Sequence, residues 1–556
     1  MSNDEEKFLV SFDADRIKDY IFASNALKDI RGASSILLEI DEQKKREGAQ
    51  QQHADGRRLI YAAGGGGAIV LDDELEAGSE CEKIEREFSL ATSSSTITTI
   101  KKPVPESAVG TSFGAHMAEA AAMLQDEKAR KSQLLQIPLQ PYMRPCDACG
   151  VAPAAGRAKG DLSGDLLCVA CRKKRRRGLK IRGKGEEHQK EIQAKEKKES
   201  ETEFSSYRQR FLDHLTKAGL TTEYKRWQNA RVPDDLNELG ALDGKGYVGF
   251  LTMDGNRMGK LLEVLGSDKN YTDYSERLKS TVEGLVFEAL ADLKPEPAGD
   301  ETVMPFEIVM IGGDDVMLFT SARHIIDVTC KIVQRFEKKS PEVLDAALRR
   351  ENFFEELKKR FIGDPPIDEN EPFLRDGKLT MSAGIAICHA NFPLPVLVGL
   401  GEALLSNAKK ACASIVVENL DATGPDDKVI TKPYVTACID FEVVTGSLID
   451  LDITRKHSPA CRPYQLDRFK RLLDYARKVK QTGIPQTQLQ IVYDACHSGN
   501  RVDGTMATLR MISHLGMYKQ RKLIQDFLQE FIPLDTDNPT IWPWTHASRN
   551  QEENNA

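Results

Sequence analysis

The chain has no run approaching the roughly 18 consecutive apolar residues that a membrane-spanning helix needs, so no helical membrane anchor is expected. Its first residues, Met1 to Glu6, are acidic and lack the basic stretch and apolar core of a secretory signal, which makes the cytoplasm the expected compartment. An overall basic excess is missing too. The 77 Lys and Arg against 85 Asp and Glu leave a net charge of −8, which excludes a histone-like polycation but not a local basic patch. The cysteines do not form a disulfide framework, because eleven is an odd count in a large chain without a leader. What is present is the composition of a soluble globular protein, and 556 residues allow three to five domains.

Seven of the cysteines (Cys81, Cys330, Cys388, Cys412, Cys438, Cys461, Cys496) are scattered singly and read as small buried apolar residues. The other four form two pairs, Cys146-Asp-Ala-Cys149 and Cys168-Val-Ala-Cys171, with 18 residues between them. Each pair can present two thiolates to one ion, and the spacing matches a closed, tetrahedral structural zinc site in a ribbon-like insert. Gly150 suits the turn after the second cysteine. A redox pair is the alternative, disfavoured because no thioredoxin-like strand precedes either pair. Directly after the cysteines comes a basic run: residues 171–200 hold 13 Lys or Arg and 5 Glu, a local +8. Such a run reads first as a solvated linker or helix face and second as a nucleic-acid contact.

Hydrophobic patterning gives strands over 7–12 and 58–71 (two, around Gly64 to Gly67), and helices over 15–38, 73–89 and 114–132. Further on it gives a strand over 247–253, helices over 257–265 and 274–293, and a hairpin of 306–311 and 316–320. Helices over 322–337 and 341–361, a strand over 379–387 and a helix over 396–410 follow. Strand–helix–hairpin–helix–strand is the order of a ferredoxin-like palm, and the first 110 residues repeat it. The expected fold class is α+β, with four parts. Residues 1–140 form a first palm with a helical extension, and 141–245 a zinc-binding insert, basic segment and helical linker. Residues 246–440 form a second palm and 441–556 a C-terminal helical domain, amphipathic over 463–532 with a frayed polar tail from 535.

Chemistry is expected at the second palm. Gly312 and Gly313 permit a tight hairpin and close approach of a triphosphate, and Asp314 and Asp315 project from its tip. Asp254, followed by Gly255 at the end of the neighbouring strand, falls beside them. Carboxylates from adjacent strands are what a two-metal phosphoryl-transfer site uses, with Mg2+ or Mn2+ as the ion. Either turn alone is ordinary. Together, each ending an apolar strand of one sheet, they place charge against a hydrophobic surface, which is costly without a compensating ion or partner.

These residues resemble a known family, the polymerase/cyclase large subunit of type III CRISPR effector complexes, itself related to GGDEF cyclases. The resemblance rests on Asp254-Gly-Asn-Arg-Met-Gly-Lys260, Gly312-Gly-Asp-Asp315, Ser382-Ala-Gly-Ile-Ala386, Phe392-Pro393 and Ala403-Leu-Leu-Ser-Asn-Ala-Lys409. In the first half it rests on Asp15-Arg-Ile-Lys-Asp-Tyr-Ile-Phe-Ala-Ser24, Ile30-Arg-Gly-Ala-Ser34 and the glycine hairpin. It implies that the second palm converts ATP to cyclic oligoadenylate when foreign target RNA is bound, with Asp314, Asp315 and Asp254 holding the metals. It further implies that Lys409, and more weakly Lys260, contact the triphosphate and that Ser382 lines the adenine pocket. The implied partners are guide RNA, target RNA, backbone subunits and a helical small subunit. Alternatives are adenylation of S-adenosylmethionine by the same palm, or a catalytically silent scaffold, which the intact Gly-Gly-Asp-Asp argues against. Three departures matter. None of the ten histidines precedes an Asp and the first strand begins at residue 7, so no HD nuclease is expected. The first palm lacks carboxylates in its hairpin and is not expected to carry metals. Asn256 stands where an acid is common, leaving Asp254 alone on its strand.

Overall fold

The structure, a computed structural model, describes residues 5–51, 56–131, 140–181, 205–263, 265–347, 378–414, 436–445, 451, 455, 462–497, 501–516 and 518–531. Its first sheet is built by β1 (Glu6–Ala14), β2 (Arg58–Ala63), β3 (Gly66–Leu71) and β4 (Ile97–Pro105), with α1 (Ile17–Ile21), α2 (Leu27–Gln51) and α3 (Glu74–Thr92) between them. The strand order β2-β3-β1-β4, antiparallel throughout, is that of a ferredoxin-like palm. β4 was not among the expected strands. Its Ile97-Thr-Thr-Ile100 start is β-branched, but Lys101-Lys-Pro-Val-Pro105 reads as a loop. It forms the sheet edge, where lysine and proline are tolerated. The helix expected over 15–38 is two helices. Ser24 Oγ accepts the Ala26 N–H (3.2 Å) and donates to the buried Asp29 (2.7 Å), a local bonding pattern that stops α1 and restarts the chain as α2.

Next come α4 (Glu106–Thr111), α5 (Phe113–Arg130) and, after the cysteine region, α6 (Val169–Ile181). The reading of the basic run is corrected in part here: its first stretch forms a helix with one buried face, while Lys173, Arg176 and Lys180 on the other are exposed. α6 lies against α2 so closely that a Cβ on Gly32 would stand 1.8 Å from the Lys174 carbonyl oxygen, and one on Gly178 1.7 Å from that of Lys28. Lys174 and Arg175 are buried. Lys174 donates to the Tyr20 carbonyl and lies over the Tyr20 ring, while Arg175 is held by Asp29, Asp161 and Asp165. Residues 182–200 of the run lie outside the described residues.

After α7 (Tyr207–Lys217), α8 (Thr221–Trp227) and α9 (Leu236–Ala241) comes the second sheet. Its elements are β5 (Tyr247–Gly255), α10 (Met258–Glu263), α11 (Asp268–Ala291), the small hairpin β6 (Glu296–Ala298) and β7 (Glu301–Val303), β8 (Phe306–Gly312), β9 (Asp315–Ser321), α12 (Ala322–Ala347), β10 (Met381–His389), α13 (Leu394–Ser414), β11 (Cys438–Val443) and β12 (Tyr464–Gln465). The order β12-β11-β10-β5-β9-β8 contains the same four-strand palm, extended by two strands not foreseen, β11 parallel to β10. The break expected between 337 and 341 does not occur. Pro341 sits inside α12, and the Glu337 carbonyl that its missing N–H would have bonded accepts the Ser340 hydroxyl instead (3.1 Å). The rest of the helix expected over 341–361 lies outside the described residues.

The internal repeat can be aligned strand by strand. Phe12 pairs with Gly67 as Met253 pairs with Val316, and the tips close at Ala63–Gly66 and Gly312–Asp315. Asp13 therefore occupies the place of Asp254, and Gly65 and Gly66 those of Asp314 and Asp315. Matching Gly64–Gly67 to Gly312–Asp315 by sequence order alone is thus one residue out of register.

The two palms share two apolar clusters, one running from Leu9 and Val70 through Phe113 and Tyr271 to Leu251 and Leu318, the other from Val10 and Phe12 through Phe22 to Phe250 and Phe319. α2 also covers β8, the free edge of the second sheet. Arg31 makes a buried bidentate pair with Glu307 (2.9 and 2.6 Å), Ser34 donates to the Val309 carbonyl, and the Tyr207 hydroxyl bonds both backbone groups of Ile311. The C-terminal helices α14 (Leu466–Gln481), α15 (Gln486–His497), α16 (Arg501–His514) and α17 (Tyr518–Phe531) have a small core of Ile484, Met511, Leu515 and Ile524. The tail expected from 535 lies outside the described residues. Among the described residues no helix is long and apolar enough to cross a membrane.

Candidate active site

The second hairpin turns at Gly313, whose φ of +74° a side chain would strain. The turn sends Asp314 across to β5, where its Oδ2 stands 2.6 Å from the point a Cβ on Gly255 would occupy. Gly255 is thus bare so that a carboxylate can lie over it. Asp315 opens β9, and Asp254 stands next to that strand on β5. The three carboxylates share one sheet end, close enough that Asp254 and Asp315 both act on Asp314. Burial, then Asp254 and then Asp315, push Asp314 up to about 8. Burial and then Asp254 push Asp315 up to about 7, although its side chain still reaches solvent. The cations that oppose this are Lys409 of α13, which forms an ion pair with the Asp254 carboxylate, and Lys18 of α1. The site carries more negative charge than its own side chains balance, and it fits a divalent cation on that ground.

Beside the carboxylates lies an open cleft of about 410 Å³ lined by Lys18, Glu402, Leu405, Ser406, Lys409 and Lys410. Lys18 reaches it from the first palm and pairs with Glu402 (2.8 Å). Of the residues singled out from the sequence, Asp254, Asp314, Asp315, Gly255, Gly312, Gly313 and Lys409 are brought together. Lys260 is exposed on α10 and pairs with Glu263 (3.5 Å) of its own helix. Ser382 is opposite Asp254 on β10 but wholly buried. Its hydroxyl accepts the Cys438 N–H (3.3 Å), so it braces β11 against β10 and presents no surface for an adenine. Asn256 also faces inward, donating to Thr380 Oγ1 (2.9 Å).

Three groups were missed, one of them Lys410, which stands beside Lys409 at the cleft. Lys18 lies within the Asp15–Ser24 motif but was given no role. Asp13, which adds negative charge at Asp315 and pairs with Lys128 (2.5 Å), is signalled only by its place in the repeat.

The four paired cysteines converge as their spacing predicts: their sulfurs lie within 4.8 Å of one another. Cys168 and Cys171 sit at the start of α6, and Gly150 takes a φ of +69° behind Cys149. The ribbon between the pairs is reduced to isolated bridges, Pro145–Pro153 and Gly156–Leu167. Four thiols at these separations fit a tetrahedral ion.

Residues 247–414 match the family model described as Cas10/Cmr2, second palm domain. No curated protein gives a significant sequence match. Among solved structures the fold is similar to the apo Csm1–Csm4 cassette at 15% identity and a TM-score of 0.50, covering 96% of this chain and 67% of that one. It is similar to Csm1 of T. onnurineus at 15% identity and a TM-score of 0.50, covering 96% and 66%. At this identity the likeness is one of fold.

Proposed function

Taking a Cas10/Cmr2-type second palm as premise, we propose that this chain is the large subunit of a type III CRISPR effector and makes cyclic oligoadenylate from ATP. The observation that carries the reading is the meeting of Asp254, Asp314 and Asp315 at a glycine hairpin, short of positive charge, beside a cleft lined by lysines. Asp314 and Asp315 on the hairpin and Asp254 on β5 would hold Mg2+ or Mn2+. When bound, such ions polarise the attacked phosphate and make a sugar hydroxyl nucleophilic at neutral pH. Lys409, which pairs with Asp254, would be free to contact the triphosphate once that carboxylate holds an ion. Lys18 and Lys410 line the same cleft, so the first palm contributes a cation although its hairpin has no carboxylate. Cys146, Cys149, Cys168 and Cys171 would bind zinc and fix the start of α6, a structural role.

The match to a Csm1–Csm4 cassette supports assembly with a backbone subunit of that kind, and through it with guide and target RNA. The test is to incubate the assembled complex with ATP, Mg2+ and target RNA, with and without S-adenosylmethionine, and to identify products by mass. Cyclic oligoadenylate from wild type and none from Asp314→Ala/Asp315→Ala is expected. Identical products from both would refute the site, and a product containing S-adenosylmethionine would change the acceptor.

A further inference from the structure

The tip of the first palm's hairpin is pinned by more contacts than a plain turn requires. Gly64 and Gly65 both have positive φ (+62° and +81°), which aims their successive N–H groups at one point. That point is occupied by Asp41 of α2: Gly64 N–H donates to Oδ2 (2.8 Å) and Gly65 N–H to Oδ1 (3.3 Å). Asp41 is 7% exposed, and the charges facing it are first the buried Lys279 of α11, in the other palm, and then Lys45 of its own helix. On its far side the pinned tip meets the catalytic hairpin backbone to backbone. A Cβ on Gly64 would stand 3.3 Å from the Gly312 Cα, and one on Gly312 would stand 2.9 Å from the Gly64 Cα. Gly312 is two residues from Asp314, and Ile311 before it is fixed on both backbone groups by Tyr207.

We propose that Asp41 is a positioning residue for nucleotidyl transfer: by fixing the glycine tip of the first palm it fixes, through the Gly64–Gly312 contact, the hairpin that presents Asp314 and Asp315. Asp41 touches neither substrate nor ion and acts wholly through backbone. The inference rests on the proposed function above.

The test measures Mn2+ binding to the full chain by electron paramagnetic resonance and Mg2+ half-saturation of ATP turnover in the assembled complex. The variants are Asp41→Ala, Asp41→Asn, Gly64→Ala, Asp314→Ala as the reference for loss of the site, and Val70→Ala, a core truncation of the first palm away from the tip. Displacement of metal-holding groups by about 1 Å costs on the order of a hundredfold in rate. Asp41→Ala and Gly64→Ala are expected to weaken Mn2+ binding and raise the Mg2+ half-saturation at least about fivefold. Asp41→Asn, which keeps one acceptor oxygen, should fall between them and wild type. Val70→Ala should lower Tm without moving either metal constant. Wild-type Mn2+ affinity in Asp41→Ala and Gly64→Ala overturns the inference. So does an equal loss of affinity in Val70→Ala, which would reduce the effect to stability. Should Mn2+ binding not depend on Asp314 at all, the proposed site itself fails; dependence on Asp314 with indifference to Asp41 refutes only the positioning role.

Discussion

Asp314 and Asp315 are held in a state that an ordinary fold avoids, each carboxyl with its proton affinity raised by burial and by its neighbours. The direction of the consequence follows from linkage. Asp314 ordinarily titrates at 3.8 and here at about 8, so between those values the folded chain holds a proton that the unfolded chain releases. Stability without divalent cation therefore falls as pH rises across that window and is level above it. Asp314→Asn should flatten the fall in Tm between about pH 5 and pH 8 and make the ion-free chain more stable at the upper end. Thermal melts in chelator across that range check this, and an unchanged slope in the variant would contradict it. Since an ion must displace protons here, Mn2+ affinity should rise over the same interval. The two hairpin carboxylates and Asp254 were legible because each ends an apolar strand. Lys18 and Asp41 were not, because they act on the site from another sheet and their local sequence is that of any helix.

At the scale of elements, the contact that holds the cysteine region to the first palm is the crossing of α2 and α6. The backbones there approach through Gly32 and Gly178, and the atoms in the way are carbonyl oxygens rather than flexible side chains. Gly32→Ala or Gly178→Ala should push the helices apart and cost about 1–3 kcal/mol or more, read as a lower urea midpoint. Gly78→Ala, on α3 with nothing within 4 Å of the new methyl, should instead be neutral or stabilising by up to about 1 kcal/mol. Equal loss in all three would contradict the close crossing. The basic run was misread at this scale for a physical reason. Arg175 and Arg177 are held by Asp29 and Glu39 of α2 and by Asp161 and Asp165, and no local pattern announces such partners. β4 escaped for the opposite reason, since an edge strand carries the lysines and prolines that protect it.

At the scale of the molecule, two palms of one topology were readable from the order of elements, and the cysteine cluster from spacing alone. The joint between the palms was not. It is made of two apolar clusters, the bonds of Arg31, Ser34 and Tyr207 to the β8 edge, and two glycine tips in contact, none of which has a periodic signature. The net charge of −8 proved an average over a sheet end rich in carboxylates, a lysine-lined cleft and a basic helix that buries Lys174 and Arg175. The cysteine cluster should carry about one zinc per chain, and its removal by chelator should lower Tm by releasing the start of α6. The central claim, that Asp254, Asp314 and Asp315 form a divalent-cation site for nucleotidyl transfer, is tested most directly by counting Mn2+ bound to the full chain with a non-hydrolysable ATP analogue. About two ions per chain are expected for wild type, with both lost in Asp314→Ala/Asp315→Ala. The same stoichiometry in wild type and variant would contradict the account.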